Sequence, residues 1–350
     1  MPDHFTAGAL RWGTAETDAE REEVYAFRYT HYFNQLSDAP GVDHVQKRVF
    51  SPHDEASALL TGRNSDNDLV IVGTGTRASS SLLPKEWREI LQLDRLSALG
   101  LDSILIFSRL VERSDCQAGA TFLAFFKYSA HYFVARQCAY SIHYCPPALV
   151  PLYERLGYRL YGHGHTLRSG LFRLPMILAG ADTAYTNRVN PAFARAVSTL
   201  APMGDLARLY AVLPELAALP LCAMSEAERL NAVRRILART LPDRAIVEKV
   251  VPDTAMKPLR HASLLELRVD ENPAHHDDVP LIWFLIEGEV SLRHPDGSES
   301  RATPGTFLNG HALTSFTALT TGKILVFAPG KPDTAPAQAC PSPDFWAELS

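Results

Sequence analysis

The sequence predicts a mixed α/β layer structure, then a helical connector, then an all-β unit of barrel or jelly-roll type. Three observations carry that expectation. Over the first 180 or so residues, helix-period stretches alternate with short apolar runs. From Pro191 to Lys249 the pattern is helix-like and interrupted by prolines. From Ala262 to Phe327 it changes to period-two and short apolar runs between turn signals. The resulting units are 1–185, 186–250 and 251–332, followed by a Pro-rich tail, 333–350.

Each element has its own signal. Asp18 to Phe33 sets Val24, Phe27 and Tyr32 among charges at helical spacing. Asp54 to Leu60 reads as a short strand or turn. Asp68 to Arg77 (DLVIVGTGTR) is a strand containing Gly73 and Gly75. Pro84 to Leu99 is a charged amphipathic helix, and Ser103 to Glu112 a buried strand. Ala118 to Arg136 is a long apolar helix, and Ala139 to Cys145 a strand. Pro147 to Leu156 is a helix closed by Gly157, since glycine just past a helix end accepts the left-handed conformation. Tyr158 to Thr166 and Leu171 to Leu178 form a last strand pair. In the connector, Leu206 to Ala218 and Ser225 to Thr240 are helical, with Ser225 and Glu228 spaced as a capping box. The β unit contributes Leu264–Val269, Leu281–Ile286, Glu289–Arg293 and Lys323–Phe327, parted by Glu287-Gly288, Pro295-Asp296-Gly297 and Pro304-Gly305.

Composition narrows the class. The chain has 350 residues, 34 Lys and Arg against 39 Asp and Glu, and a net charge of -5. A mildly acidic chain lacks the basic footprint of general nucleic-acid binding. No apolar run approaches the roughly 18 residues of a membrane span, and Met1 to Thr17 has no secretory h-region. Five cysteines without CxxC spacing fit reduced thiols, so a cytoplasmic location is expected. Charge is unevenly spread. Leu101 to Leu200 holds ten basic and five acidic residues, whereas Glu266 to Ser350 holds five and twelve. A basic middle suits an acidic partner, or is simply a solvated face.

Pro147 to Tyr158 (PALVPLYERLGY) resembles the string that closes the acyl-thioester site of GNAT-type N-acyltransferases. EEVYAFRY, Asp54 before an apolar strand, VGTGTR ending at Arg77, and FSRLVE at Phe107 to Glu112 precede it. In that order they resemble the autoinducer synthases, and more closely the N-acyl amino acid synthases, over about residues 10 to 180. The resemblance implies a GNAT-type domain with a mixed central sheet. It implies a donor arm lying beside the strand around Ser108 and Val111, whose backbone N–H groups meet the thioester oxygen. It implies a phosphate at the loop of Arg113, Gln117, Gly119 and Ala120, and Tyr153 as proton donor to the leaving thiolate. Arg28, Arg77 and Arg109, with Asp54, match a network near the acceptor, where a guanidinium fork suits a carboxylate or orders the fold.

Two positions depart from the pattern. RSDCQAGAT matches the Arg/Gln-x-x-Gly-x-Gly/Ala phosphate loop only at Gln117, Gly119 and Ala120, with altered spacing. That favours an acyl carrier protein over coenzyme A as donor. Ile106 stands where the autoinducer synthases have a glutamate that serves as base. The base is then another residue, with Glu112 and His143 the candidates, or a water, or is not needed; Cys145 has no paired base in sequence to make it a nucleophile.

Leu281 to Pro304 with GTFLNGHALTS resembles a cyclic-nucleotide-binding domain. His311 replaces the cassette glutamate and no arginine follows, so no cyclic nucleotide is expected there. That leaves the unit to dock on the acyltransferase, to dimerise or to bind an apolar ligand. His275, His276, His294 and His311 lack cupin spacing, and no metal site is expected. The expected function is acyl transfer from acyl carrier protein or acyl-CoA, as co-substrate rather than bound cofactor, to a small-molecule amine such as an amino acid. The alternatives are an inactive sensor or scaffold, and a protein-lysine acetyltransferase gated by the β unit.

Overall fold

The computed structural model describes residues 5–7, 10–36, 41–113, 120–167, 172–197, 203–240, 262–273, 282–309, 313 and 315–327. The first stretch runs β1 (Phe5–Ala7), β2 (Leu10–Thr14), α1 (Asp18–Leu36), a small hairpin of β3 (Val42–Asp43) and β4 (Arg48–Val49), β5 (Ser57–Arg63) and β6 (Leu69–Arg77). Next come α2 (Lys85–Ile90), α3 (Leu93–Leu96), β7 (Ile104–Glu112), α4 (Ala120–Ala135), β8 (Tyr140–Cys145) and α5 (Val150–Arg155). β9 (Arg159–Leu160), β10 (His165–Thr166) and β11 (Phe172–Ala179) follow, then α6 (Thr183–Val189), α7 (Pro191–Val197), α8 (Leu206–Val212) and α9 (Glu226–Thr240).

Among the described residues these strands form one sheet in the order β1-β2-β5-β6-β7-β8-β11-β10, with β9 also on β11. Its neighbours are antiparallel except β7 and β8, which are parallel and joined through α4, as a parallel crossover requires. The sheet is therefore mixed. Helix α1 covers one face: Val24 and Phe27 pack with Leu59, Val72 and Val111. α4 and α5 cover the other, where Phe125 and Tyr128 meet Trp12 and Leu60, and Leu156 meets Tyr158.

The elements differ from expectation where side-chain pattern alone could not place a break. The helix expected over Pro84–Leu99 is two short helices, because Gln92 takes a left-handed φ of 48° between them. Leu206–Ala218 is helical to Val212 and continues from Pro214 as a 3-10 turn. Asp54 lies in a 3-10 turn, Pro52–Ala56, that runs into β5. Gly157 has φ 91°, as a residue closing α5 needs, and Ser225 and Glu228 exchange both capping hydrogen bonds.

The connector is bound by charge to the first unit. Arg159 donates to Asp182 and to the Leu216 carbonyl (2.7 Å), and its guanidinium stacks on Tyr185 at 4.4 Å. Arg95 grips Glu215 with two bonds of 2.7 Å.

β12 (Ala262–Leu267), β13 (Ile282–Glu287), β14 (Val290–Arg293), β15 (Glu299–Ala302), β16 (Phe307–Asn309), β17 (Ser315–Ala318) and β18 (Gly322–Phe327) complete the described residues. They make two small antiparallel sheets, β12-β18-β13-β16 and β15-β14-β17. The expected jelly roll of cyclic-nucleotide-binding type goes no further than these sheets among the described residues. His275, His276, Gly310, His311 and the 333–350 tail lie outside the described residues. One apolar cluster runs from Trp12 and Phe125 through Leu156 to Leu265 and Trp283. Ser263 donates to Glu154 Oε2 at 3.4 Å, beside Tyr153. Among the described residues no helix is long and apolar enough to cross a membrane, and no cluster of metal-ligating side chains occurs.

Candidate active site

The site is built on β7. Against β6, Val72 pairs Val111 and Thr74 pairs Ser108, so Arg109 and Leu110 together face Gly73 alone. This is a β-bulge, and Arg109 takes it up at φ 51°. A left-handed arginine costs about 1–2 kcal/mol, which the packing around it must offset. Gly73 suits the position: a Cβ there would lie 2.4 Å from the Phe125 ring, so α4 rests directly on the strand opposite the bulge.

On its other side β7 leaves its neighbour. Parallel pairing with β8 covers only Ile104↔Tyr140, Leu105↔Ser141 and Ile106↔Ile142. Beyond it β7 runs on to Glu112 and β8 to Cys145 without pairing, so the strands part into a cleft. Backbone N–H and C=O groups along that edge of β7 are free of a strand partner. Such an edge can accept an extended ligand by strand addition and direct N–H groups at a carbonyl oxygen.

On the α4 and α5 side, the half-buried Tyr153 stands with its ring 4.0 Å from that of His143 and 6.0 Å from Phe126. His143 is 5% exposed and Nε2 has no partner; burial lowers its pKa to about 3, so it is neutral. The Tyr158 and Ser141 hydroxyls are 2.7 Å apart behind it, and burial raises the Tyr158 pKa. Cys145 is buried, its thiol 3.5 Å from the Met176 sulfur. Glu112 ends β7. Burial pushes its carboxyl up to about 7, a hydrogen bond with Thr121 pulls the other way, and Oε1 is buried without a partner. A carboxyl in that state exchanges a proton readily at neutral pH.

On the α1 side lies an ionic cluster. Asp54, fully buried, accepts from Arg28 (3.1 Å) at one oxygen and from Arg109 (2.7 Å) at the other. Arg28 also donates to Thr74 (2.5 Å), and Arg109 to the Ser51 hydroxyl. Asp54 is aligned by its own turn, because its carboxylate caps the Ser51 N–H at 2.9 Å. Burial lowers Arg28 to about 10, which leaves it charged. Two guanidiniums on one carboxylate leave the cluster net positive.

Sequence reasoning missed His53. It is 1% exposed, its ring 4.5 Å from Trp87, with both nitrogens unpartnered. Burial first, then Arg109, lowers it to about 4. Its place next to Asp54 in the Ser51-capped turn was the available signal.

The expected network of three arginines is a network of two. Arg77 is absent from it; it donates to the carbonyls of Asp102 and Arg136 (2.7 Å). It lies three residues past Thr74 on β6 and so on the opposite face. Val111 is in the core with Val24, and the Ser108 hydroxyl is buried without a hydrogen-bond partner. The Arg113 N–H bonds Val70 O at 2.9 Å. Gln117 and Gly119 lie outside the described residues, and Ala120 is described only as the first residue of α4.

No family model matches the chain, and no curated protein matches it. Among solved structures, the chain is similar to the CoA-dependent acyl-homoserine lactone synthase BjaI with MTA, at 12% identity, over 46% of this chain and 76% of that one, with TM-score 0.39. It is similar to the AHL synthase LasI at 12%, over 49% and 88%, TM-score 0.38. It is similar to the N-acyl amino acid synthase FeeM from uncultured soil microbes at 15%, over 49% and 89%, TM-score 0.39.

Proposed function

We propose that this chain is an N-acyltransferase. It moves an acyl group from a thioester, on acyl carrier protein or on coenzyme A, to the amine of an amino acid or similar small metabolite. The observation that carries the reading is the parting of β7 and β8 beside the Arg109 bulge, with Glu112 and Tyr153 at its sides. The donor arm adds to the free edge of β7, and a backbone N–H there receives the thioester oxygen. Glu112, ionised, takes a proton from the acceptor ammonium. The freed amine attacks the carbonyl carbon; the C–N bond forms and the C–S bond breaks. Tyr153 gives its proton to the departing sulfur, and the second proton that the nitrogen loses in becoming an amide restores the Tyr153 hydroxyl. The net positive cluster of Arg28, Asp54 and Arg109 favours an acceptor bearing a carboxylate. The Ser263–Glu154 contact supports a role for the C-terminal sheets in holding α5.

The test is incubation of purified full-length protein with acyl carrier protein or coenzyme A thioesters and a panel of amino acids. Mass spectrometry should find an N-acyl product dependent on the protein. Absence of any such product across both donors and the whole panel defeats the reading.

A further inference from the structure

A second concave site lies away from the cleft. α4 begins at the wide end of the cleft with Ala120 and ends with Ala135, a helix of 16 residues. At 1.5 Å per residue that is about 24 Å of helix. At its far end the ends of β2, β5, β6 and β7 line an open groove of about 610 Å3. Three guanidiniums line it: Arg21, Arg77 and Arg136.

None of the three forms an ion pair among the described residues. Arg21 is tied to the carbonyls of Asp54 and Ser57, and Arg77 to those of Asp102 and Arg136. Arg136 stacks on Tyr132, its carbon 5.0 Å from the ring centre. Neutral oxygens and a ring hold these side chains without cancelling their charge. An arginine side chain loses rotamer entropy when it is fixed. Here that ordering precedes any ligand, which is the condition for tight capture of an oxyanion. The two acids in the lining are Glu16, which accepts from the Thr14 hydroxyl, and the exposed Glu55. They leave the lining with an excess of one positive charge, which attracts an anion, and the three guanidiniums offer donors to more than one oxyanion group.

We infer that this groove binds a small multivalent oxyanion, a phosphorylated or polycarboxylate metabolite, at a site separate from the acyl-transfer cleft. Isothermal titration of the full-length protein at low salt tests it, with inorganic phosphate in one arm and citrate in the other, against matched chloride. Binding at millimolar or lower concentration is expected in at least one arm, and which arm responds identifies phosphate or carboxylate as the group recognised. Arg136→Gln alters an exposed side chain and should weaken that binding about tenfold or more. Glu55→Gln should tighten it, since it removes a repulsive charge. No heat up to about 10 mM with either probe overturns the inference. So does binding that Arg136→Gln and Glu55→Gln leave unchanged.

Discussion

Replacing Glu112 by glutamine separates its chemistry from its packing. The carboxyl ends β7 with one oxygen buried and unpartnered, and burial raises it from 4.5 to about 7. A base with that pKa is about one-tenth ionised at pH 6 and nine-tenths at pH 8. The rate of acyl transfer should therefore rise about tenfold between those values, and fall a further tenfold or so by pH 5. Stability runs the other way. A group raised in the folded state stabilises it fully below pH 4.5, and that contribution is lost as pH rises toward 7 and beyond. Glutamine keeps the neutral shape at every pH. Glu112→Gln should unfold at a temperature equal to or above the parent's at pH 8, while kcat/KM drops about 10²–10⁴-fold and the acid limb disappears. The assay is N-acyl product formed per minute from pH 5 to 9, with thermal melts of both proteins in the same buffers. Activity within about threefold of the parent, or an unchanged inflection near pH 7, would refute the role given to Glu112.

Tyr153→Phe keeps the ring beside His143 and removes the proton donor, so kcat should fall about a hundredfold with KM little changed, read from initial-rate kinetics. Asp54→Asn leaves the buried Arg28 and part-buried Arg109 without their shared counter-charge; urea titration should register a loss of about 3–5 kcal/mol. Gly73→Ala drives a methyl to 2.4 Å from the buried Phe125 ring, and chemical denaturation should show destabilisation of about 1–3 kcal/mol.

Much of the first unit could be read from residue pattern. β6, β7, α4, β8 and the helix closed by Gly157 all carry strong local signals, and the observed spans follow them closely. The parting of β7 from β8 carries none, because nothing in Phe107 to Glu112 states how far β8 will pair. The left-handed Arg109 was equally hidden, since glycine is the residue that normally announces that conformation. Gln92 broke the helix expected over Pro84–Leu99 for the same reason. Arg77 was open to inference in principle: strand alternation sets it on the face opposite Thr74. The pairing of Arg28 and Arg109 through Asp54 followed from the resemblance, whereas the raised carboxyl of Glu112 depends on burial that only the assembled fold supplies.

The clamp of Arg159 and Arg95 on the connector bears on how the chain can be shortened. A cut at 185, where composition divides it, would remove the Leu216 carbonyl from Arg159 and Glu215 from Arg95. It would also sever α6 at Tyr185, the ring on which Arg159 stacks. The fragment would carry an arginine that is buried in the intact chain, with half its partners gone, and would lose the cover that Leu209 and Leu213 give Tyr140 and Ile177. An excised first unit that keeps its own contacts has to extend past Leu216.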